Sequence, residues 1–168
     1  HRASWLLVTF GTAYVYSLRE TGKVVANCHK LPASLFDRRR VGVDEMIRGW
    51  IPLIERLSDS NPELRIMFTV SPIRHLRDGA HENQLSKSVL LLFVDELCRM
   101  YPDRCIYFPS YEIVMDELRD YRFYDAGMTH PNEQAIRYIW ERFSEACFSE
   151  ETQTLNREWE RLEKALNH

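Results

Sequence analysis

The sequence lacks three features that would each identify a class of protein. It contains no run of about 18 apolar residues, so we expect no membrane-spanning helix. Its six glycines form neither a Gly-x-Gly-x-x-Gly nor a P-loop pattern, so no phosphate-binding glycine loop is predicted. The formal net charge of −3 is too small to indicate a nucleic acid or an anionic membrane as partner. What remains, 168 residues of which 45% are hydrophobic, is typical of one globular domain.

Cysteine is sparse as well. A domain of this size needs no disulfide to fold, and its four thiols show no Cys-x-x-Cys spacing: Cys28, Cys98, Cys105 and Cys147. We interpret them as reduced or buried thiols, which predicts a reducing compartment such as the cytoplasm. The chain begins with His1, shows no signal-peptide pattern and enters a strand-like run at Trp5, so we expect it to be part of a longer protein.

Apolar runs alternate with helical patterns along the chain. Four short runs are typical of strands in a parallel sheet: Leu6–Phe10, Val24–Ala26, Ile66–Val70 and Cys105–Phe108. Four amphipathic patterns predict helices: Asp44–Leu57, which contains Pro52, Gln84–Met100, Pro131–Phe143 and Thr152–Leu166. This alternation predicts a three-layer α/β/α sandwich with a mostly parallel sheet. We place the domain in residues 1–148 and a C-terminal amphipathic helix in residues 149–168, and we interpret Arg38–Arg40 as a solvated turn.

Polar residues are concentrated where the predicted strands end. In open α/β sheets, ligands bind beyond the carboxyl ends of the strands. Segments that begin at Gly11, Asn27 and Ser71 leave these ends, and a later loop runs from Asp125 to His130. This coincidence predicts a functional site at that edge of the sheet.

His130 is the strongest candidate for chemistry. It precedes a predicted helix that starts with Pro131, and imidazole acts as a general base near neutral pH without assistance. Asp125 would orient the ring, as the acid of a catalytic triad does. A helix-capping histidine beside a solvated carboxylate explains the pattern equally well, and no nucleophile stands out in the sequence.

Asn27 and Cys28 are candidates after the second predicted strand. The Asn27 amide would donate a hydrogen bond to an oxyanion. Cys28 would be a thiol nucleophile paired with His29 or His130. The structural alternative is an asparagine that caps a turn, a buried cysteine and a surface histidine.

Ser71, Arg74 and His75 are candidates for substrate binding after the third predicted strand. Arg74 would clamp an anionic group through two parallel hydrogen bonds. The alternative is a structural loop that is stabilised by local hydrogen bonds from its own side chains. A metal site built from histidines and Cys28 is not predicted, because their spacing matches no zinc site.

Four blocks of the sequence resemble the GSCFA family. They are Leu7–Tyr16, Val25–Pro32, Thr69–Gly79 followed by Glu82–Lys87, and Met128–Ala135 followed by Tyr138–Glu141. The likeness extends from Trp5 to about Phe148. It implies the flavodoxin-like fold of the SGNH, or GDSL-like, hydrolases, with esterase or acyl-transfer chemistry.

The resemblance also assigns roles to residues. It implies that His130 is the catalytic histidine, and it places Gly11 and Ala13 near the block where related hydrolases carry an oxyanion-hole asparagine. Ala13 has no amide side chain, so Asn27 is the substitute that we consider. The family usually has an aspartate three residues before the histidine, where this sequence has Gly127. Either Asp125 replaces that acid, or the acid is lost, which would weaken catalysis without abolishing it.

The box that gives the family its name, Gly-Ser-Cys-Phe-Ala, is absent from the sequence. That box is thought to hold the nucleophilic serine, so we expect the chain to begin after it, without its first strand, and to be inactive alone. The function that we expect of the parent is an SGNH-like serine ester hydrolase or acyltransferase. Its substrate would be a small-molecule or carbohydrate ester, with no cofactor. The alternative is a non-catalytic binding module with the same fold, which Gly127 favours; fold analogy does not select the substrate.

Overall fold

A computed structural model describes residues 3–26, 28 and 30–166 of the chain. The strands are β1 Trp5–Phe10, β2 Tyr14–Leu18, β3 Val24–Val25, β4 Phe36–Arg40, β5 Arg65–Val70 and β6 Cys105–Tyr107. The helices are α1 Val43–Ser60, α2 Ala80–Met100, the single turn α3 Ser110–Glu112, α4 Glu133–Cys147 and α5 Glu150–Leu166. By its internal contacts the chain divides into two units, residues 1–111 and residues 112–168.

A parallel sheet lies in the first unit, with the strand order β1-β5-β6. Trp5 lies opposite Arg65 at one end of the β1–β5 pair, and Phe10 lies opposite Val70 at the other. Parallel pairing requires a crossover, and the α1 and α2 segments of the chain connect these strands. The predicted α/β class and the parallel sheet are confirmed, and the arrangement is compatible with an α/β/α sandwich.

An aromatic cluster joins α1 and α2 to one face of this sheet. The ring of Phe10 on β1 lies 5.1 Å from that of Trp50 on α1 and 5.3 Å from that of Phe93 on α2. The ring of Phe68 on β5 completes the cluster, 5.5 Å from Trp50. Phe68 and Phe93 are fully buried. Buried aromatic pairs with edge-to-face geometry stabilise a core by more than the burial of their surface area alone. We therefore expect the carboxyl ends of β1 and β5 to be held rigidly.

A second, antiparallel sheet has the order β3-β2-β4, and it corrects two predictions. The Val24–Ala26 run was expected in the parallel sheet, but Val24–Val25 pair antiparallel with β2. The interpretation of Arg38–Arg40 as a turn was also wrong, because these residues belong to β4. A strand suits them because Arg38 stacks its guanidinium 3.7 Å above the Tyr14 ring.

The predicted helices exist, with different bounds. Helix α1 runs through Pro52 without a break. Helix α4 begins at Glu133 rather than at the predicted Pro131, because Asn132 caps it with a side-chain oxygen that accepts from the Ala135 N–H. None of the described helices has both the length and the apolarity to cross a bilayer.

Helix α5 differs from the other long helices in burying none of its described side chains. Its apolar residues lie on one side and are all more than half exposed: Leu155, Trp159, Leu162 and Leu166. In the same unit, α4 packs aromatic rings together at its C-terminal end, where Trp140 and Phe143 both contact Phe148.

Candidate functional site

The first group of candidate residues lies where β1 and β5 end. We call Gly11, Thr12, Ala13 and Ser71, with their partners on α2, the strand-end cluster. The two segments are neighbours because β1 and β5 pair in register, and the Ser71 N–H donates to the Phe10 carbonyl at 2.9 Å. The structure therefore brings together Gly11 and Ser71, two of the residues that the sequence predicts for the site.

The first turns of α2 hold both segments through buried side chains. Ser86 is fully buried, and its Oγ accepts from the Ala13 N–H at 2.8 Å and lies 3.2 Å from the Thr12 hydroxyl. Asn83 is 6% exposed, and its Oδ1 accepts from the His75 N–H at 3.1 Å. These bonds satisfy backbone donors that lie outside the strands, so α2 determines the course of both loops.

Lys87 is the most unusual member of the strand-end cluster. It is 1% exposed, and its Nζ donates to the carbonyls of Gly11 and Ser71, each at 2.6 Å. Burial lowers its pKa to about 8, because desolvation disfavours the charged amine. Lys87 is not among the site residues predicted from the sequence, although position 87 continues the buried face of α2 that includes Leu90 and Val94.

His75 lies beside the cluster, with its ring edge-on to Tyr14 at a centroid distance of 6.0 Å. Neither ring nitrogen is accessible or has a hydrogen-bond partner among the described residues. Burial, followed by the nearby positive charges of Lys87 and Arg38, lowers the pKa of the imidazole, while Asp78 acts in the opposite direction. The ring is therefore held neutral near pH 7, packed rather than presented to a ligand.

The other residues predicted for substrate binding follow β5. The Ser71 hydroxyl accepts from the Ile73 N–H at 3.2 Å, which is a local turn contact. Arg74 is half-buried. The next residues connect to the antiparallel sheet, since Arg77 donates to the Tyr16 hydroxyl and Asp78 accepts from Arg38, both at 2.7 Å.

The second group of candidate residues is the loop from Asp125 to His130, in the second unit. The loop is closed at its base, where the Asp125 N–H donates to the His130 carbonyl at 2.9 Å. A turn lies within it, since the Met128 N–H donates to the Asp125 carbonyl at 3.0 Å and Met128 has a left-handed φ of 59°. Asp125 and His130 are five positions apart in sequence, and the turn brings their side chains together.

The His130 imidazole faces two oxygen atoms on one side of its ring. Nδ1 lies 2.9 Å from the Thr129 hydroxyl and 3.7 Å from Oδ2 of Asp125. Both side chains are accessible, His130 at 57% and Asp125 at 45%. Because Nδ1 faces these two oxygens, Nε2 lies on the far side of the ring from them, which is the arrangement that a general base needs.

Gly127 lies against the carboxylate of Asp125. A Cβ atom at position 127 would be 3.3 Å from Oδ1 and 3.8 Å from Oδ2 of Asp125, and 3.6 Å from the Thr129 hydroxyl. The Asp125 carboxylate thus fills the space beside position 127, where the resemblance leads us to expect an acid. A side chain at 127 would push the Asp125 carboxylate aside by a few tenths of an ångström.

Some predicted residues lie outside these groups. Asn27 and His29 are outside the described residues, and Cys28 is half-buried. No cluster of three or more His, Cys, Asp or Glu side chains in the described part of the chain could hold a metal ion. A groove of about 570 Å³ between α4 and α5 has a mixed-charge lining that includes Arg137, Glu141 and Arg157, but none of the predicted site residues.

Comparison with known proteins identifies one family. The family model that matches the chain is that of the GSCFA family, and it covers residues 1–143. No curated protein and no solved structure matches the chain.

Proposed function

The chain belongs to the GSCFA family, and from that membership we propose that it forms most of a serine ester hydrolase or acyltransferase of the SGNH type. A serine hydroxyl would attack the ester carbonyl while His130 takes the hydroxyl proton on Nε2. The proton would then pass to the departing alkoxide, which leaves an acyl-serine for water or a second alcohol to attack.

The observation that carries this proposal is the arrangement around His130. Its Nδ1 faces the Thr129 hydroxyl at 2.9 Å and the Asp125 carboxylate at 3.7 Å, so the ring has a partner of the kind that stabilises an imidazolium. The Asp125 carboxylate lies where a Cβ atom at position 127 would come within 3.3 Å of it, which supports Asp125 as the acid of the site. An acid beside His130 despite Gly127 favours the enzyme over the binding-module alternative.

We propose the remaining roles for residues that the sequence and the family resemblance indicate. The Gly11 N–H would donate to the oxyanion, and the Asn27 amide would be a second donor. Ser71 and Arg74 would line the substrate site, and the His75 ring, whose nitrogens are buried, would pack beside them. We propose a small-molecule or carbohydrate ester as substrate, because this chemistry needs only an ester carbonyl and a leaving alkoxide.

The sequence contains no Gly-Ser-Cys-Phe-Ala box, and the proposal places the nucleophilic serine in that box. We therefore expect the 168-residue chain to leave p-nitrophenyl acetate unhydrolysed. A chain that carries the box ahead of Trp5 should hydrolyse the ester and react with a fluorophosphonate probe, which labels only an activated serine.

His130→Ala in the box-carrying chain should lower kcat by about a thousandfold or more, and Asp125→Asn should lower it less. The matched control is His81→Ala, since His81 is an exposed histidine on α2, and it should leave kcat unchanged. A box-carrying chain that neither turns over nor labels would instead indicate a non-catalytic module. Turnover by the 168-residue chain that is lost in His130→Ala would contradict the serine assignment and favour a nucleophile such as Cys28.

A further inference from the structure

Lys87 connects the two loops of the strand-end cluster through one nitrogen atom. Its Nζ donates to the carbonyls of Gly11 and Ser71, which directly follow Phe10 and Val70, the last paired residues of β1 and β5. The Ser71 N–H in turn donates to the Phe10 carbonyl. These three hydrogen bonds connect the carboxyl ends of the two strands to each other and to Lys87.

The same bonds determine the orientation of successive peptide groups after β1. The Phe10–Gly11 peptide is held by Ser71 at its carbonyl, and the Gly11–Thr12 peptide is held by Lys87. The next peptide is held by Ser86, which accepts from the Ala13 N–H. Because N–H and C=O point in opposite directions across a trans peptide, holding the Phe10 carbonyl also fixes the direction of the Gly11 N–H.

Packing alone does not account for a lysine at this position. Burying an ammonium group is unfavourable unless hydrogen bonds compensate for the lost hydration, and an apolar side chain of similar length would fill the space without that penalty. Lys87 is 1% exposed on a helix face whose other members include Leu90 and Val94. A methionine at this position would supply no hydrogen bonds to the Gly11 and Ser71 carbonyls.

We propose that Lys87 is a positioning residue, whose ammonium group joins the Gly11 and Ser71 loops. By holding the Ser71 segment, it keeps the Ser71 N–H on the Phe10 carbonyl and so keeps the Gly11 N–H in the direction that an oxyanion requires. The catalytic consequence rests on the proposed ester chemistry, whereas the joining of the loops does not. Preorganised donors lower an activation barrier because they need no rearrangement when charge develops.

Amide hydrogen exchange on the 168-residue chain tests the joining of the loops without any activity. In Lys87→Met, the amides of Ala13, Ser71 and His75 should exchange about tenfold faster or more, while that of Phe68 inside β5 changes little. The matched control is Leu90→Ala, which removes a fully buried α2 side chain one turn away. It should accelerate these amides and Phe68 together. If Lys87→Met does not fold, Lys87→Gln keeps an amide donor with a shorter reach and should show the same local effect.

The proposal would be overturned if amide exchange in Lys87→Met, or in Lys87→Gln if only that variant folds, accelerated equally at Phe68 and in the two loops. The catalytic consequence is measured in the box-carrying chain, where Lys87→Met should lower kcat about tenfold or more with KM within about twofold. Retention of full kcat by Lys87→Met in an active chain would also overturn it. If the box-carrying chain is inactive but Lys87→Met loosens both loops, the proposed function fails and the joining role stands.

Discussion

A single buried lysine gives this chain an unusual dependence of stability on pH. Lys87 has a pKa of about 8 in the folded chain, because burial disfavours its charged form. In the unfolded chain its pKa is that of an ordinary lysine, about 10.4. Between these two values the unfolded state binds more protons than the folded state, so the free energy of unfolding rises with pH in that window.

We predict that wild type gains about 2 kcal/mol of stability relative to Lys87→Met between pH 7 and pH 10. Urea unfolding of both chains at the two pH values measures this difference. Tyrosines such as Tyr14 and Tyr138, whose pKa values are raised by hydrogen bonds to Glu82 and Glu117, also titrate at high pH. They are present in both chains, so their effect cancels. A stability difference that stays constant over this range would show that Lys87 is not desolvated.

At the scale of elements, α1 and α5 have equally amphipathic sequences but different environments. Ile54 on α1 is fully buried against the core of the first unit. Trp159 on α5 is 69% exposed, and no described side chain of that helix is buried. Most helical stability in proteins comes from packing of the apolar face. The apolar residues of α1 should therefore contribute more to the stability of the folded chain than those of α5.

We predict that Ile54→Ala lowers the free energy of unfolding by about 2–5 kcal/mol, since it removes packed side-chain atoms and leaves a cavity. Trp159→Ala should change it by no more than about 0.5 kcal/mol, as is usual for exposed positions. Chemical denaturation followed by circular dichroism compares the two variants with wild type. A loss of more than about 2 kcal/mol in Trp159→Ala would mean that its ring is covered in solution.

At the scale of the whole molecule, the reactivity of the cysteine thiols shows whether the core opens. Cys105 on β6 is 2% exposed, and burial raises its pKa to about 11. Cys147 at the end of α4 is exposed, although partial burial of its thiol also raises its pKa. Because the thiolate is the reactive form, a thiol that is both buried and raised in pKa reacts slowly.

We therefore predict that iodoacetamide at pH 8 modifies Cys147 in the native chain and leaves Cys105 unmodified. Mass spectrometry of alkylated peptides measures both sites. Addition of a denaturant should make Cys105 reactive in parallel with the loss of circular dichroism, because its exposure requires the core to open. Modification of Cys105 at the rate of Cys147 under native conditions would contradict a closed core around β6.

The parallel strands and the long helices were predictable because their signals are local. The apolar runs at β1, β5 and β6 and the periodic patterns of the helices each depend on neighbouring residues. The antiparallel sheet was not predictable in this way. Arg38 in β4 contacts Tyr14 under its guanidinium and pairs with Asp78, 40 residues away, and contacts with such distant residues leave no local signal.

The same distinction applies to the candidate site. Asp125 and His130 are five positions apart in one loop, so the sequence placed a carboxylate near an imidazole, but the turn at Met128 brings the two side chains to 3.7 Å. The helix after them was predictable from its apolar period. Only the tertiary structure decided the role of Lys87, whose partners Gly11 and Ser71 are 76 and 16 residues away. A lysine in an amphipathic helix normally faces solvent. Packing of α2 across the ends of β1 and β5 buries this one, and two backbone carbonyls there replace only part of the water that its charge would otherwise need.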